Sequence, residues 1–147
     1  MLRLLISPYF IWLSIIGVFL THTLALLYFG YWKLPWLDLV LHFSGGLVAA
    51  SVFFNLSDRF PELASFRRNR LVTLILVIAF VALVGVLWEF FEFGLDQFFG
   101  FRDIRWQFQD SIADTMTDLF MDLLGALALF SLLILGNAGL TLKNPTR

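Results

Sequence analysis

Hydrophobic positions along the chain fall into four long runs, separated by short polar or turn-rich connections. The first run covers about Leu4 to Phe29 and the second about Asp38 to Leu56. The third covers about Leu71 to Phe93, and the fourth about Ser111 to Leu135. Each is long enough to cross the roughly 30 Å of bilayer hydrocarbon as an α-helix. The pattern predicts an all-α, integral membrane four-helix bundle forming one domain over residues 1–147. Tyr31 to Trp36 reads as an aromatic interfacial loop in which Pro35 stops a continuous helix. Ser57 to Arg70 is the most polar connection and is expected to hold a short interfacial helix from about Pro61. Gly100 to Asp110 joins the third and fourth runs. The first run follows Arg3, as a secretory signal would. It is too long for such a signal and lacks a small-x-small cleavage site, so it is expected to stay as a membrane helix.

Composition agrees with lipid as the solvent. Of 147 residues, 60% are hydrophobic and only 14% charged, where soluble domains carry about a quarter charged residues. The 18 Phe and 5 Trp suit lipid-facing and interfacial positions. No basic patch with interleaved aromatics is present, so a nucleic-acid partner is not expected. The absence of cysteine excludes disulfides, thiolate metal sites and thiol nucleophiles.

Charge sets an expected orientation. With four crossings, Arg3, Arg59, Arg67, Arg68, Arg70, Lys143 and Arg147 share one side, and Lys33, Arg102 and Arg105 the other. The positive-inside rule then places both termini in the cytoplasm. Nine of the eleven acids fall in the opposite, outer half: Asp38, Glu89, Glu92, Asp96, Asp103, Asp110, Asp114, Asp118 and Asp122. His22 and His42 join them. By helical rise, His22, His42, Glu89 and Asp118 lie roughly 6–11 Å below the outer boundary, in one layer fed by all four helices.

Spacing reinforces that layer. Asp38 and His42 are four residues apart and share a face, as do Glu89 and Glu92 at three. Asp110, Asp114, Asp118 and Asp122 recur every four residues and form one stripe, which should face the bundle interior. An Asp near the middle of a membrane helix costs about 2.5–3.5 kcal/mol on insertion scales, so these acids need protons, basic partners or a metal ion. Hard oxygen donors with one or two imidazoles suit Mg, Mn, Zn or Fe. Ferritin-like di-iron chemistry is not expected, because no Glu-x-x-His pair exists. Ser44-Gly45-Gly46 with Ala49 and Ala50, and Gly125-Ala126, offer flat faces for close helix packing.

Structural readings compete at several positions. Asp38 and Asp110 stand at predicted helix starts, where a carboxylate caps free amides. Asp96 and Asp103 read as solvated loop residues, and Trp88 as an interfacial anchor. A lone His22 reads as a hydrogen-bonded core residue. A salt-bridge network with Arg102 and Arg105 is the structural alternative for the cluster as a whole.

Three segments taken together resemble a known family. They are Asp38-Leu-Val-Leu-His42-Phe43-Ser-Gly45-Gly46, Trp88-Glu89-Phe-Phe-Glu92, and Asp114-Thr115-Met-Thr-Asp118-Leu-Phe-Met-Asp122-Leu-Leu-Gly125-Ala126. In this order they resemble the YjdF-like bacterial inner-membrane proteins and, more distantly, VanZ-like proteins. The latter carry a similar Asp-x-x-x-His-Phe element and a late Asp-x-x-x-Asn-x-x-Gly element, where this chain has Asp122 in place of Asn. The resemblance implies a bacterial membrane protein, with the VanZ-like kinship pointing to the cell envelope.

The expectation is therefore a divalent-metal site in the outer half, acting on or binding an envelope lipid or lipid-linked phosphate. His22, His42, Glu89, Asp114 and Asp118 are the expected metal ligands, with Asp38 orienting His42. Glu92 and Asp122 are the expected general bases or extra ligands, and Arg102 and Arg105 the phosphate-holding residues. The alternatives are a cation or proton transporter, or a non-catalytic subunit of a larger membrane complex. Expected partners are membrane lipid and either a second copy or other membrane subunits.

Overall fold

Four long helices account for most of a computed structural model that describes residues 2–60, 62, 69–99 and 111–135. Helix α1 is Pro8–Leu27, α2 the one-turn Gly30–Lys33, α3 Trp36–Arg59, α4 Arg70–Phe99 and α5 Ile112–Leu135. No strand occurs among the described residues. Pro8–Leu27, Trp36–Arg59, Arg70–Phe98 and Ile112–Ile134 are each long and apolar enough to span a membrane. The expected all-α membrane bundle is thus observed.

Local sequence explains the helix starts. Ser7 caps α1 by accepting from the Phe10 amide at 3.3 Å, and Pro8 sits where its missing N–H costs nothing. The chain before it is a 3-10 turn, Leu2–Leu4, so the first span starts later than the apolar run. Asn69 caps α4, its Oδ1 accepting from Leu71 and Val72. Ser111 caps α5 by accepting from the Asp114 amide at 3.2 Å. Asp38 is not the cap of α3, which begins at Trp36; it lies in the first turn, where a carboxylate still meets the positive end of the dipole.

The loop expected at Tyr31 to Trp36 is partly helical. Phe29 takes a left-handed conformation, φ 55°, ending α1 and turning the chain into α2. Gly30 is required beside it, because a β-carbon there would collide with the Cα of Ala25. Lys33 Nζ then donates to the Tyr28 carbonyl at 2.9 Å, which neutralises the negative end of α1. Ser57 to Arg59 belong to α3, and the expected helix from about Pro61 falls largely outside the described residues.

Helices α3 and α5 form the tightest pair, with α4 packed across both and α1 leaning on α3. Small residues allow this approach. A β-carbon at Gly46 would strike the Asp122 backbone, and one at Gly125 would strike the Phe43 carbonyl. Below them, towards Arg59, an apolar core gathers Ala50, Phe54, Val77, Val81, Ala126 and Leu129. Asn55 Nδ2 donates to the Ile6 carbonyl at 2.8 Å, fastening the N-terminal turn over that core. The outward faces stay apolar, with Trp12, Leu13, Ile16, Leu83, Leu87 and Phe120 exposed as lipid-facing residues should be.

Candidate metal centre

The other half of the bundle holds a different kind of interior. His42, Glu89, Glu92, Asp118 and Asp122 are between 2% and 6% exposed, although all are polar or ionisable. They are brought together by α3, α4 and α5, each contributing one face. On α3, the four-residue step from Asp38 to His42 points both side chains the same way, with His42 Nε2 3.9 Å from Asp38 Oδ1. On α5, the same step from Asp118 to Asp122 presents two carboxylates to α3 and α4.

His42 is the hub. Its Nδ1 stands 3.5 Å from Asp122 Oδ2. It also belongs to two groups of donors: Asp38, His42 and Asp118 in one, and His42, Glu89 and Glu92 in the other. In each, one ligand atom from every residue falls within 4.8 Å of the others. Such groups could hold an ion, and these donors, carboxylate oxygens with one imidazole, suit hard and borderline divalent metals.

Two carboxylate oxygens sharpen the case. Asp118 Oδ1 and Asp122 Oδ2 are buried and accept no hydrogen bond within the structure. Buried polar groups are ordinarily bonded, and leaving a charged one unsatisfied costs more than about 1–3 kcal/mol. Asp122 is also hemmed in by Gly85 of α4, where a β-carbon would collide with Oδ2. Gly85 went unnoticed in the sequence, because a lone glycine inside a helical run by itself signals only a lowered helix preference.

The remaining expected residues are placed as follows. His22 stands apart from the two donor groups: its Nδ1 shares a 2.5 Å hydrogen bond with Tyr31 Oη, and its ring meets Trp88 edge-on at 5.5 Å. Asp114 lies one turn beyond Asp118 and is half-buried. Asp38 is also half-buried, but sits close enough to offer an oxygen beside His42. Arg102, Arg105, Asp103 and Asp110 fall outside the described residues. Trp88 is more than an interfacial anchor, because its ring bridges His22 and Phe19 of α1 to α4.

Tyr31 is the residue the sequence reading missed. Its phenol is pushed above the ordinary tyrosine value, first by burial and then by the charges of Asp38, Glu92 and Asp118. Nothing in the spacing shows this contact, since it depends on the left-handed turn at Phe29 folding α2 back over α1 and α3.

A cavity of about 300 Å³ opens beside the hub. His22, Tyr31, Asp38, His42, Glu92 and Asp122 line one end. Ile15, Val18, Val52, Phe80, Val81 and Val84 line the rest.

No curated protein and no solved structure matches the chain. A family model described as "Predicted membrane protein (DUF2238)" matches residues 2–138. The chain therefore belongs to the DUF2238 family of membrane proteins, which is the YjdF-like family its three segments resemble.

Proposed function

We propose that the protein binds a divalent metal ion in the membrane through His42 and the carboxylates around it. The observation that carries this reading is the hub itself: one buried imidazole within ligand reach of two pairs of acids, with oxygens of Asp118 and Asp122 left unsatisfied. His42 would hold the ion together with Asp38, whose Oδ1 lies 3.9 Å from Nε2, and Asp118. Nδ1 stands 3.5 Å from Asp122 Oδ2, at an ion-pair distance from which a carboxylate orients the imidazole from behind. Glu89 and Glu92, the second donor group around His42, would add further oxygens, and Glu92, which also borders the cavity, would serve as a base there. Asp38 thus takes a ligand's role, and Asp122 the orienting role that the sequence alone gives to Asp38. His22 serves the same site indirectly, by holding Tyr31 over it.

A metal here supplies a Lewis acid and a cationic anchor in a place where protein cations are few. Among the described residues of this half, Lys33 is the one lysine or arginine, and its ammonium is bonded to the Tyr28 carbonyl. The same proposal includes a bacterial inner membrane with both termini cytoplasmic, so that the centre lies in the outer half. Support for that orientation comes from the basic residues, seven of ten on the side of the termini. The VanZ-like kinship and an envelope role belong to this proposal as well.

The test is thermal unfolding of purified protein with chelator and with added Mn²⁺ or Zn²⁺. Wild type is expected to gain several degrees on metal addition, and His42→Ala to gain none. Equal behaviour of the two proteins would sink the reading.

A further inference from the structure

The cavity beside the hub has a polarity gradient along its length. Its lining on α4 runs from Phe80 to Glu92, about 18 Å of helical rise, close to one leaflet of a bilayer whose hydrocarbon is about 30 Å thick. The deep part is walled by Ile15, Val18, Val52, Phe80 and Val81, with no ionisable group among them. The polar end carries His42, Glu92 and Asp122.

Its walls also show where it opens. Helix α1 packs on α3 and meets α4 through the rings of Phe19 and His22 against Trp88. At that bridge Phe19 on α1, and one turn below it Val84 on α4, line the cavity while remaining 52% and 40% exposed. Both residues lie within membrane-spanning helices, so the cavity between α1 and α4 opens toward hydrocarbon.

We infer that this cavity takes a membrane amphiphile with one hydrocarbon chain, entering between α1 and α4, whose phosphate head shares the divalent metal with the acids at the polar end. The inference rests on the metal reading above. A water-soluble phosphate would gain nothing from the deep apolar wall, whereas an alkyl chain buries surface at every methylene. The acids do not repel such a head, because a divalent cation commonly joins one or two carboxylates to a substrate phosphate. The volume falls at the lower end of small-molecule sites, which fits one chain and not two.

The experiment uses full-length protein in phosphatidylcholine nanodiscs loaded with Mn²⁺. Dodecyl phosphate or butyl phosphate is titrated in, and paramagnetic broadening of the ³¹P signal reports a phosphate held at the metal. Val18→Trp and, from the opposite wall, Val52→Trp fill the deep cavity without touching the hub. Each is expected to raise the dodecyl phosphate needed for half-maximal broadening by about tenfold or more. Each should leave butyl phosphate and the Mn²⁺ affinity unchanged. Because membrane partitioning is the same for wild type and variant, it does not mimic this result. Dodecyl phosphate binding that survives both fillings would overturn the inference, as would dodecyltrimethylammonium displacing the Mn²⁺. Bound Mn²⁺ without ³¹P broadening would overturn the phosphate head alone and leave the metal reading standing. Absence of bound Mn²⁺ would sink the metal reading, and this inference with it.

Discussion

Gly85 lies so close to the carboxylate of Asp122 that a β-carbon on α4 at this point would displace Oδ2. Gly46 also meets Asp122, but its missing side chain makes room for backbone. The two glycines therefore separate the site from the fold. Gly46→Ala forces α3 and α5 apart and is expected to cost about 1–3 kcal/mol of stability, as overpacking does. Gly85→Ala meets only the ends of two side chains, Asp122 and Leu119, which can move. It is expected to leave unfolding nearly unchanged while lowering metal affinity by about 10-fold, the low end for losing an imidazole's supporting carboxylate. Unfolding midpoints and metal titrations of both variants check the contrast; equal metal loss in both would contradict it.

Asp118 tests the cost of holding the acids without a cation. With chelator present, Asp118→Asn removes a buried carboxylate whose Oδ1 accepts no hydrogen bond. The variant is expected to be more stable than wild type by about 1–3 kcal/mol in chelator, and to lose the stabilisation that metal gives. A variant less stable than wild type in chelator would show the carboxylate to be a structural partner instead.

These acids were legible in the sequence because helical spacing alone aligns them. Asp38 with His42, Glu89 with Glu92, and Asp118 with Asp122 each share a face for any straight helix, and depth along four runs put them at one level. The spans were legible for a similar reason, since length and apolarity suffice in lipid. The end of α4 was not. The third run was expected to end near Phe93, yet the helix continues through Gly94 to Phe99, because an open-sided glycine lowers helix preference without breaking it. The pairing of His22 with Tyr31 was also hidden. It depends on a non-glycine residue, Phe29, taking positive φ, which no periodicity encodes.

Tyr31 supplies a prediction at alkaline pH. Burial and nearby acids raise its pKa in the folded protein above that of the unfolded chain, about 10. Below that value both states hold the proton, and the contribution to stability is fully present. Above it the unfolded chain loses the proton first, so stability falls as pH rises. Wild type is expected to lose stability above about pH 10 more steeply than Tyr31→Phe. At neutral pH, Tyr31→Phe should cost about 0.5–1.5 kcal/mol for the lost bond to His22. Denaturation at several pH values checks both signs; parallel curves would contradict the burial of this phenol.

Orientation is open to a direct check. Reporter fusions at the C-terminus are expected to be active only as cytoplasmic reporters, and fusions after Lys33 only as periplasmic ones. The reverse pattern would move the acidic half to the cytoplasmic leaflet.

The central claim, a metal held at the His42 hub, is tested most directly by elemental analysis of protein purified without chelator. Wild type is expected to carry a divalent metal in stoichiometric amount, and His42→Ala and Asp118→Ala little or none. Wild type free of divalent metal, or both variants retaining it in full, would contradict the account.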